Sequence, residues 1–192
     1  ARGAPAVETD ALDPPEIVGW RPGVERAVLE ASGPWVSSVV IRPGCVYGEN
    51  GGLYGRLFQS ALTEREVRLP GDGTNRWAGV YLDDLTELYA LVLQRRPRAT
   101  VYHAVDGAAD SVREVAEAFA EAAGGAEVRE WPLDEARRAL GPLADALAMD
   151  QLVSAAKARR ELGWAPKVVS AAGHAEALLA QWEARVSPPC VV

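Results

Sequence analysis

The chain has 192 residues, of which 48% are hydrophobic and 24% are charged, proportions typical of one water-soluble globular domain. Its formal net charge of −7 argues against a nucleic-acid partner, which needs a basic face. The sequence shows no apolar run long enough for a bilayer and no signal-peptide pattern. Cys45 and Cys190 are too few and too far apart for a disulfide framework or a zinc site. We therefore expect a cytoplasmic protein with no metal, no nucleic acid and no membrane partner.

The first third of the chain predicts an extended lead-in, a helix and a buried strand. Residues 1–16 are rich in proline and glycine, and residues 20–31 have the spacing of a helix with Pro22 at its start. Residues 36–41 are rich in β-branched side chains and predict a buried strand that ends at Pro43 and Gly44. A glycine-rich loop is predicted over 42–55. Ligands bind outside the carboxyl ends of strands in open α/β sheets, so this loop is a candidate ligand site.

The rest of the chain alternates predicted strands and helices and then becomes mostly helical. We expect a short helix near 57–62, a helix over 85–95 capped by Asp83 or Asp84, and a helix opened at Ser111 by a capping box with Glu114. The predicted strands are 67–69, 78–82, 100–105 and 127–131. The later helices are predicted at 133–140, 142–148, 154–162 and 171–185. The helix over 154–162 is predicted to expose Lys157, Arg159 and Arg160 to solvent and to stop at Gly163. This alternation predicts a single α/β domain.

Three motifs stand in one order along the chain. They are RPGCVYG at 42–48, GDGTNRWAGVYLDD at 71–84 and KARRELGWAP at 157–166. Together they resemble the extended, and here atypical, short-chain dehydrogenase/reductases of the NAD-dependent epimerase/dehydratase group. The resemblance covers roughly residues 8 to 184. An unrelated α/β domain that only echoes these motifs is the weakest alternative.

The resemblance implies a fold, a cofactor and an activity. The fold would be the C-terminal part of a Rossmann-like parallel sheet plus a small mixed α/β substrate-binding lobe. Residues 1–56 and about 78–110 would complete the sheet, and about 57–77 and 111–186 would form the lobe and C-terminal helices. The cofactor would be NAD or NADP. The complete enzyme would be an oxidoreductase or epimerase/dehydratase acting on a small or nucleotide-linked substrate, and a homodimer through a helix such as 22–31.

One family element is absent from the sequence. The Gly-x-x-Gly-x-x-Gly turn that holds a dinucleotide pyrophosphate does not occur in these 192 residues. We therefore expect the chain to be the downstream part of a larger enzyme, with an N-terminal Rossmann segment as its missing part, and to be inactive alone. The same absence fits a second hypothesis, a non-catalytic pseudoenzyme or a ligand- or protein-binding module derived from the fold.

The family's catalytic pair is altered as well. These enzymes use a tyrosine and a lysine four residues apart, and the lysine lowers the phenol pKa and binds the cofactor ribose. Aligning Glu25 with the glutamate that often follows the lysine places Arg21 at the lysine position and Ile17 at the tyrosine position. Arg21 is thus a candidate ribose ligand, or alternatively the surface ion-pair partner of Glu25. Tyr47, the first tyrosine of the chain, is the candidate catalytic phenol, although packing is its commoner use.

The resemblance assigns backbone contacts with the nicotinamide to Pro43, Gly44 and Val46. The plainer interpretation is that Pro43 and Gly44 only end a strand. The substrate pocket is predicted to be lined by Tyr47, Asn50 and Tyr54.

Arg76 is the main candidate for binding the substrate. Its matching arginine in family members that use nucleotide sugars grips the diphosphate, which suits a planar and always-charged guanidinium. The alternative is a structural ion pair with Asp83 or Asp84. Trp77 beside it is predicted to stack on a substrate ring or to pack in the core. We expect the turn at Pro43 and the Arg76 guanidinium to face one cavity.

Overall fold

The computed structural model describes residues 3–49 and 51–186, over which strands and helices alternate before a helical C-terminal part. Asn50, a predicted substrate residue, and Cys190 lie outside the described residues. The α-helices are α1 Arg21–Glu30, α2 Gly52–Thr63, α3 Leu82–Arg95, α4 Val112–Ala122, α5 Leu133–Leu140, α6 Leu143–Ala148, α7 Ala156–Leu162 and α8 Ala175–Val186. The strands are β1 Val39–Pro43, β2 Cys45–Tyr47, β3 Glu66–Pro70, β4 Gly79–Tyr81, β5 Thr100–Ala104 and β6 Glu127–Trp131, and 3-10 turns precede α1 at Glu16–Val18 and α8 at Ala172–His174.

The six strands of the described residues form three parallel pairs, β1 with β5, β2 with β4 and β3 with β6. In the first pair Val39 lies opposite Thr100 and Pro43 opposite Ala104. Parallel strands need a crossover connection between them, and helices supply it here. The predicted α/β class with a parallel, Rossmann-like sheet is confirmed.

The predicted end of the strand at Pro43 and Gly44 is confirmed for β1, but the chain does not leave the sheet there. The chain passes from β1 to β2 across Gly44 alone and changes its pairing partner at that point. Gly44 N donates to Ala104 O at 3.0 Å, and Cys45 N donates to Ala78 O at 2.7 Å. Since α2 begins at Gly52, the loop predicted over 42–55 shrinks to the few residues after Tyr47.

Two clusters of buried side chains form the core. The larger one joins α2, β3, α4 and α8, and its centre is a stacked pair, Phe58 and Phe119, with ring centroids 3.8 Å apart. The smaller one joins β4, α3, β5 and α7 and contains Leu88, Tyr102 and Trp164.

The capping box at Ser111 that begins α4 is confirmed. The division into a sheet part and a substrate lobe stays a prediction.

The acidic pair at 83–84 does not cap α3, which begins one residue before it. Asp84 is instead buried, and its carboxylate accepts hydrogen bonds from the backbone N–H groups of Lys167 and Val168, each at 3.0 Å. Trp164 Nε1 donates to the Asp84 carbonyl at 2.8 Å. The prediction of a helix cap is therefore wrong, and Asp84 joins the second sequence motif to the third.

The prediction of a solvated basic face on α7 is wrong for Lys157, which is half-buried and whose Nζ donates to Thr100 Oγ1 at 2.6 Å. Arg159 and Arg160 are exposed as predicted. Arg159 Nη2 also donates to the Asp106 carbonyl at 2.9 Å. The contacts of Lys157 and Arg159 hold α7 against β5 and the segment that follows it.

Candidate functional site

An open hollow of about 490 Å³ lies between the N-terminal lead-in, α1 and β1. Its walls include Trp20, Arg21 and Val24 from the start of α1, and Ile41 and Pro43 from β1. The helix places its first turn beside the carboxyl end of the strand, where ligands bind in open α/β sheets. Two of the predicted cofactor residues, Arg21 and Pro43, are thus brought to one site.

Arg21 is exposed at the edge of this hollow. Its guanidinium carbon lies 5.8 Å from the centre of the Trp20 ring. The predicted alternative, an ion pair with Glu25, is wrong, because Glu25 is bound by Arg42 at an Nη2–Oε2 distance of 2.6 Å. Among the described residues Arg21 has no ion-pair partner, so its charge is available to an anionic ligand.

Arg42 and Glu25 also line the hollow, and they belong to a polar network. Arg42 Nη1 lies 3.4 Å from His103 Nε2, and the backbone N–H of His103 donates to Glu8 Oε1 at 2.9 Å. His103 Nδ1 is 3.3 Å from the Ser154 carbonyl. Burial lowers the pKa of His103, which favours a neutral ring. The network ties the lead-in to β5 and gives His103 a structural position.

Gly44 and Val46 are not among the residues that line the hollow. A Cβ at Gly44 would lie 2.1 Å from the carbonyl oxygen of Ala78, so close backbone approach explains this glycine without a ligand. Val46 packs against the smaller core cluster. Their predicted contacts with the cofactor stay predictions.

Tyr47 is enclosed in the core, only 1% exposed. Its hydroxyl donates to Asp106 Oδ2 at 2.7 Å and to the Val168 carbonyl at 3.2 Å. Burial, and then the charge of Asp106, raise the pKa of Tyr47 well above its usual range. A phenol that transfers protons near neutral pH needs a lowered pKa. The structure therefore supports a packing role for Tyr47 and not the catalytic role that we predicted.

Asp106, the carboxylate that holds Tyr47, makes the protein's stability depend on pH. Burial raises the pKa of Asp106, so the folded state retains a proton that the unfolded chain releases. This contribution to stability is complete below an unfolded pKa of about 3.9 and is lost as pH rises through the folded pKa. We expect the wild type to lose stability relative to Asp106→Asn over that interval. Urea unfolding at about pH 4, 5.5 and 7 tests this, and identical pH slopes would contradict it.

Tyr54 and Trp77, two predicted substrate residues, meet in the core with ring centroids 5.7 Å apart and an interplanar angle of 88°. With Gly79 and Asp106 they line a cavity of about 10 Å³, enough for one water molecule. Trp77 Nε1 also donates to the Leu147 carbonyl at 2.9 Å. The two aromatic residues therefore pack against each other, and the space they enclose in this cavity is too small for a substrate.

Arg76 is buried and engaged by a carboxylate that the sequence did not indicate. Its Nε donates to Asp150 Oδ1 at 2.8 Å and its Nη2 to Asp150 Oδ2 at 2.6 Å. The predicted partners, Asp83 and Asp84, are therefore wrong. Arg76 is not among the residues that line the hollow beside Pro43, so the expected common cavity is not seen. Substrate binding by Arg76 stays a prediction.

Sequence reasoning missed Asp106 and Asp150 as important residues. Asp106 follows the carboxyl end of β5, the same kind of position that drew attention to Pro43, so a signal for it was present. Asp150 lies between α6 and α7 and carries no local signal, because its partner Arg76 is 74 residues away.

Three further observations concern the Cys45 thiol, metal binding and the length of the helices. Burial raises the pKa of the Cys45 thiol to about 11, which keeps it protonated and unreactive. Within the described residues, no cluster of three or more histidine, cysteine or acidic side chains is arranged to bind a metal ion. No helix in the same part of the chain has the length and apolar character needed to cross a membrane.

No protein-family model matches the chain. It is 28% identical over 166 residues to an uncharacterized protein of Saccharomyces cerevisiae, covering 85% of this chain and 55% of that protein. It is 29% identical over 169 residues to a 4-hydroxy-2-methyl-3-oxo-4-farnesyl-3,4-dihydroquinoline-1-oxide ketoreductase of Stigmatella aurantiaca, covering 78% and 51%. The chain thus spans about half the length of the curated relatives it matches.

Comparison with a solved structure identifies the fold of the chain. The chain superimposes on dTDP-glucose 4,6-dehydratase of Bacillus anthracis, crystallised with NAD, with a TM-score of 0.77 and 18% identity over 96% of this chain and 57% of that one. The chain has the epimerase/dehydratase fold of the extended short-chain dehydrogenase/reductases. Other structures with this fold contain NADPH. The resemblance drawn from the three sequence motifs is confirmed for the epimerase/dehydratase fold.

Proposed function

We propose that this chain forms the substrate-side part of an NAD(P)-dependent oxidoreductase or epimerase/dehydratase that acts on a small or nucleotide-linked substrate. The observation that carries the proposal is the hollow in which the exposed guanidinium of Arg21 stands beside Pro43 at the carboxyl end of β1. A nicotinamide cofactor supplies the hydride transfer in such enzymes, and the protein orients it. The relatives' shared fold and the ketoreductase activity named for one of them support the same class of chemistry.

The residues that line the hollow fit the nicotinamide–ribose end of the cofactor and not its pyrophosphate. The Arg21 guanidinium can donate hydrogen bonds to a ribose or phosphate, and Trp20 and Pro43 offer apolar surface for a ring. The sequence contains no glycine-rich turn for the pyrophosphate. We infer that a Rossmann segment, on the same polypeptide or a separate one, completes the cofactor site. β1 pairs on one side with β5, and α1 contributes no buried side chain, so both have surface for such a segment.

The cofactor site is tested by titrating the chain with nicotinamide mononucleotide and with NADPH while following tryptophan fluorescence. We expect both to change the emission of Trp20, and Arg21→Ala to weaken binding about tenfold or more through loss of charge-assisted hydrogen bonds. Arg26→Ala is the matched control, since Arg26 is exposed on the same helix but does not line the hollow. A complete lack of response, or equal affinity in Arg21→Ala, would contradict the proposed site.

The second candidate function is a binding module without turnover. The burial of Tyr47 and its raised pKa favour it, because this phenol, the candidate for proton transfer, is enclosed in the core. The coding sequence before residue 1 separates the candidates. A Gly-x-x-Gly-x-x-Gly segment there supports the enzyme, and a complete chain without one supports the module.

A further inference from the structure

Trp35 is almost fully exposed, at 97% of its surface. It lies in the turn between α1 and β1, at the amino end of β1 and therefore at the opposite end of that strand from Pro43. The neighbouring Val36 is 52% exposed. A tryptophan side chain has one of the largest apolar surfaces that a protein can bury. A solvent-exposed indole therefore indicates a candidate interaction surface.

The turn that carries Trp35 is fixed by hydrogen bonds. Gly33 N donates to the Val36 carbonyl at 2.9 Å, which closes the turn. The guanidinium of Arg98 donates to the carbonyls of Gly33 and Pro34 at 3.0 and 3.2 Å. Because the backbone is already ordered, a partner that takes the indole has less conformational entropy to remove.

The surroundings of the turn are basic in an acidic chain. The segment after α3 lies against it, since Ala99 N donates to the Ser38 carbonyl at 2.9 Å. Residues 30–38 and 93–100 together contain three arginines and one acidic residue, whereas the whole chain carries a net charge of −7. Arg95 and Arg96 are exposed and make no ion pair within the described part of the chain.

We propose that Trp35, Arg95 and Arg96 form a docking surface for an acidic protein segment that offers an apolar contact to the indole. Tryptophan and arginine are the residue types that dominate the energetics of protein interfaces, and the charge of the patch selects an acidic partner.

Beside Trp35 the turn exposes Pro34 and Val36, and Leu93 of the adjoining segment is exposed as well. An anionic bilayer is disfavoured as the occupant, because Trp35 and its two apolar neighbours lie on a turn and not along an amphipathic helix. This proposal is independent of the cofactor site, which lies at the other end of β1.

The test is a display selection of random helical peptides on the folded chain, followed by affinity measurement with synthetic copies. We expect the selected peptides to be enriched in aspartate and glutamate around an apolar residue. Trp35→Ala and the double variant Arg95→Glu/Arg96→Glu should each weaken binding about tenfold or more, as truncation of interface anchors does. Raising salt to about 0.5 M should also weaken binding, since it screens surface charges.

Val169→Ala is the control, because Val169 is an exposed apolar residue in a different segment, and its binding should equal that of the wild type. Urea unfolding of every variant verifies that folding is retained. Failure to select any peptide, selection without acidic enrichment, or unchanged affinity in Trp35→Ala overturns the proposal. Binding that depends on Trp35 to phosphatidylglycerol vesicles, with no acidic peptide selected, overturns it in favour of a lipid surface.

Discussion

Replacing Gly44 by alanine is expected to destabilise the protein by about 3 kcal/mol or more, the upper range for overpacking a well-filled interior. The added methyl group would lie 2.1 Å from the carbonyl oxygen and 2.8 Å from the carbonyl carbon of Ala78, and 3.2 Å from Val105 Cγ1. The two nearest atoms are backbone, so they can retreat only if β2 separates from the segment that leads into β4. The free energy of unfolding in urea, followed by circular dichroism, measures the effect.

Gly23→Ala is the matched control for this substitution. Gly23 lies in α1, and nothing stands within 4 Å of its added Cβ. Alanine is favoured over glycine inside a helix by about 0.5–1 kcal/mol, so this variant should be slightly more stable than the wild type. A Gly44→Ala protein as stable as the wild type would mean that the β1–β2 junction does not approach Ala78 as described.

Removing the carboxylate of Asp84 has the other large effect. In Asp84→Ala the backbone N–H groups of Lys167 and Val168 lose their acceptor while the site stays buried. Hydrogen bonds to a charged group contribute about 1.5–3 kcal/mol each, so we expect a loss of at least about 3 kcal/mol. Trp164 should become more exposed, because the segment that follows it is released, and its fluorescence should shift to longer wavelength.

The neighbouring Asp83 gives a control that differs by one position on the same helix. Asp83 is exposed in the first turn of α3, so Asp83→Ala should change stability far less than Asp84→Ala. Equal losses in the two variants would show that the charge of the helix terminus, and not the buried contact with 167–168, stabilises this region. Asp84→Asn, which keeps one acceptor oxygen, should fall between Asp84→Ala and the wild type.

Short-range patterns in the sequence predicted much of the architecture. The β-branched run before Pro43, the capping box at Ser111 and the stop at Gly163 each act within a few residues, so they could be located without the tertiary structure. Gly163 does end α7, in the left-handed region with φ of 73°. The order of the three motifs was enough to indicate the epimerase/dehydratase fold. For the site, the family resemblance selected Arg21 and Pro43, which line one hollow.

The partners of charged side chains were decided by the fold alone. Glu25 binds Arg42 across 17 residues, and Asp84 binds the backbone of residues 167–168 across more than 80. A sequence shows which groups are charged, but the partner depends on which segments the fold brings into contact. Local spacing suggested instead the i+4 neighbour for Glu25 and a helix cap for Asp84, and both were wrong.

The fold also decided which of the predicted site residues are buried, among them the tyrosines and Arg76. The sequence by itself determined an α/β chain with parallel strands, because propensities and motif order are local properties, and it selected Arg21 and Pro43 as candidates. Only the tertiary structure decided that Tyr47 is enclosed with Asp106 and that Arg76 is held by Asp150. Solvent exposure and long-range pairing follow from how distant segments pack, which no single stretch of sequence encodes.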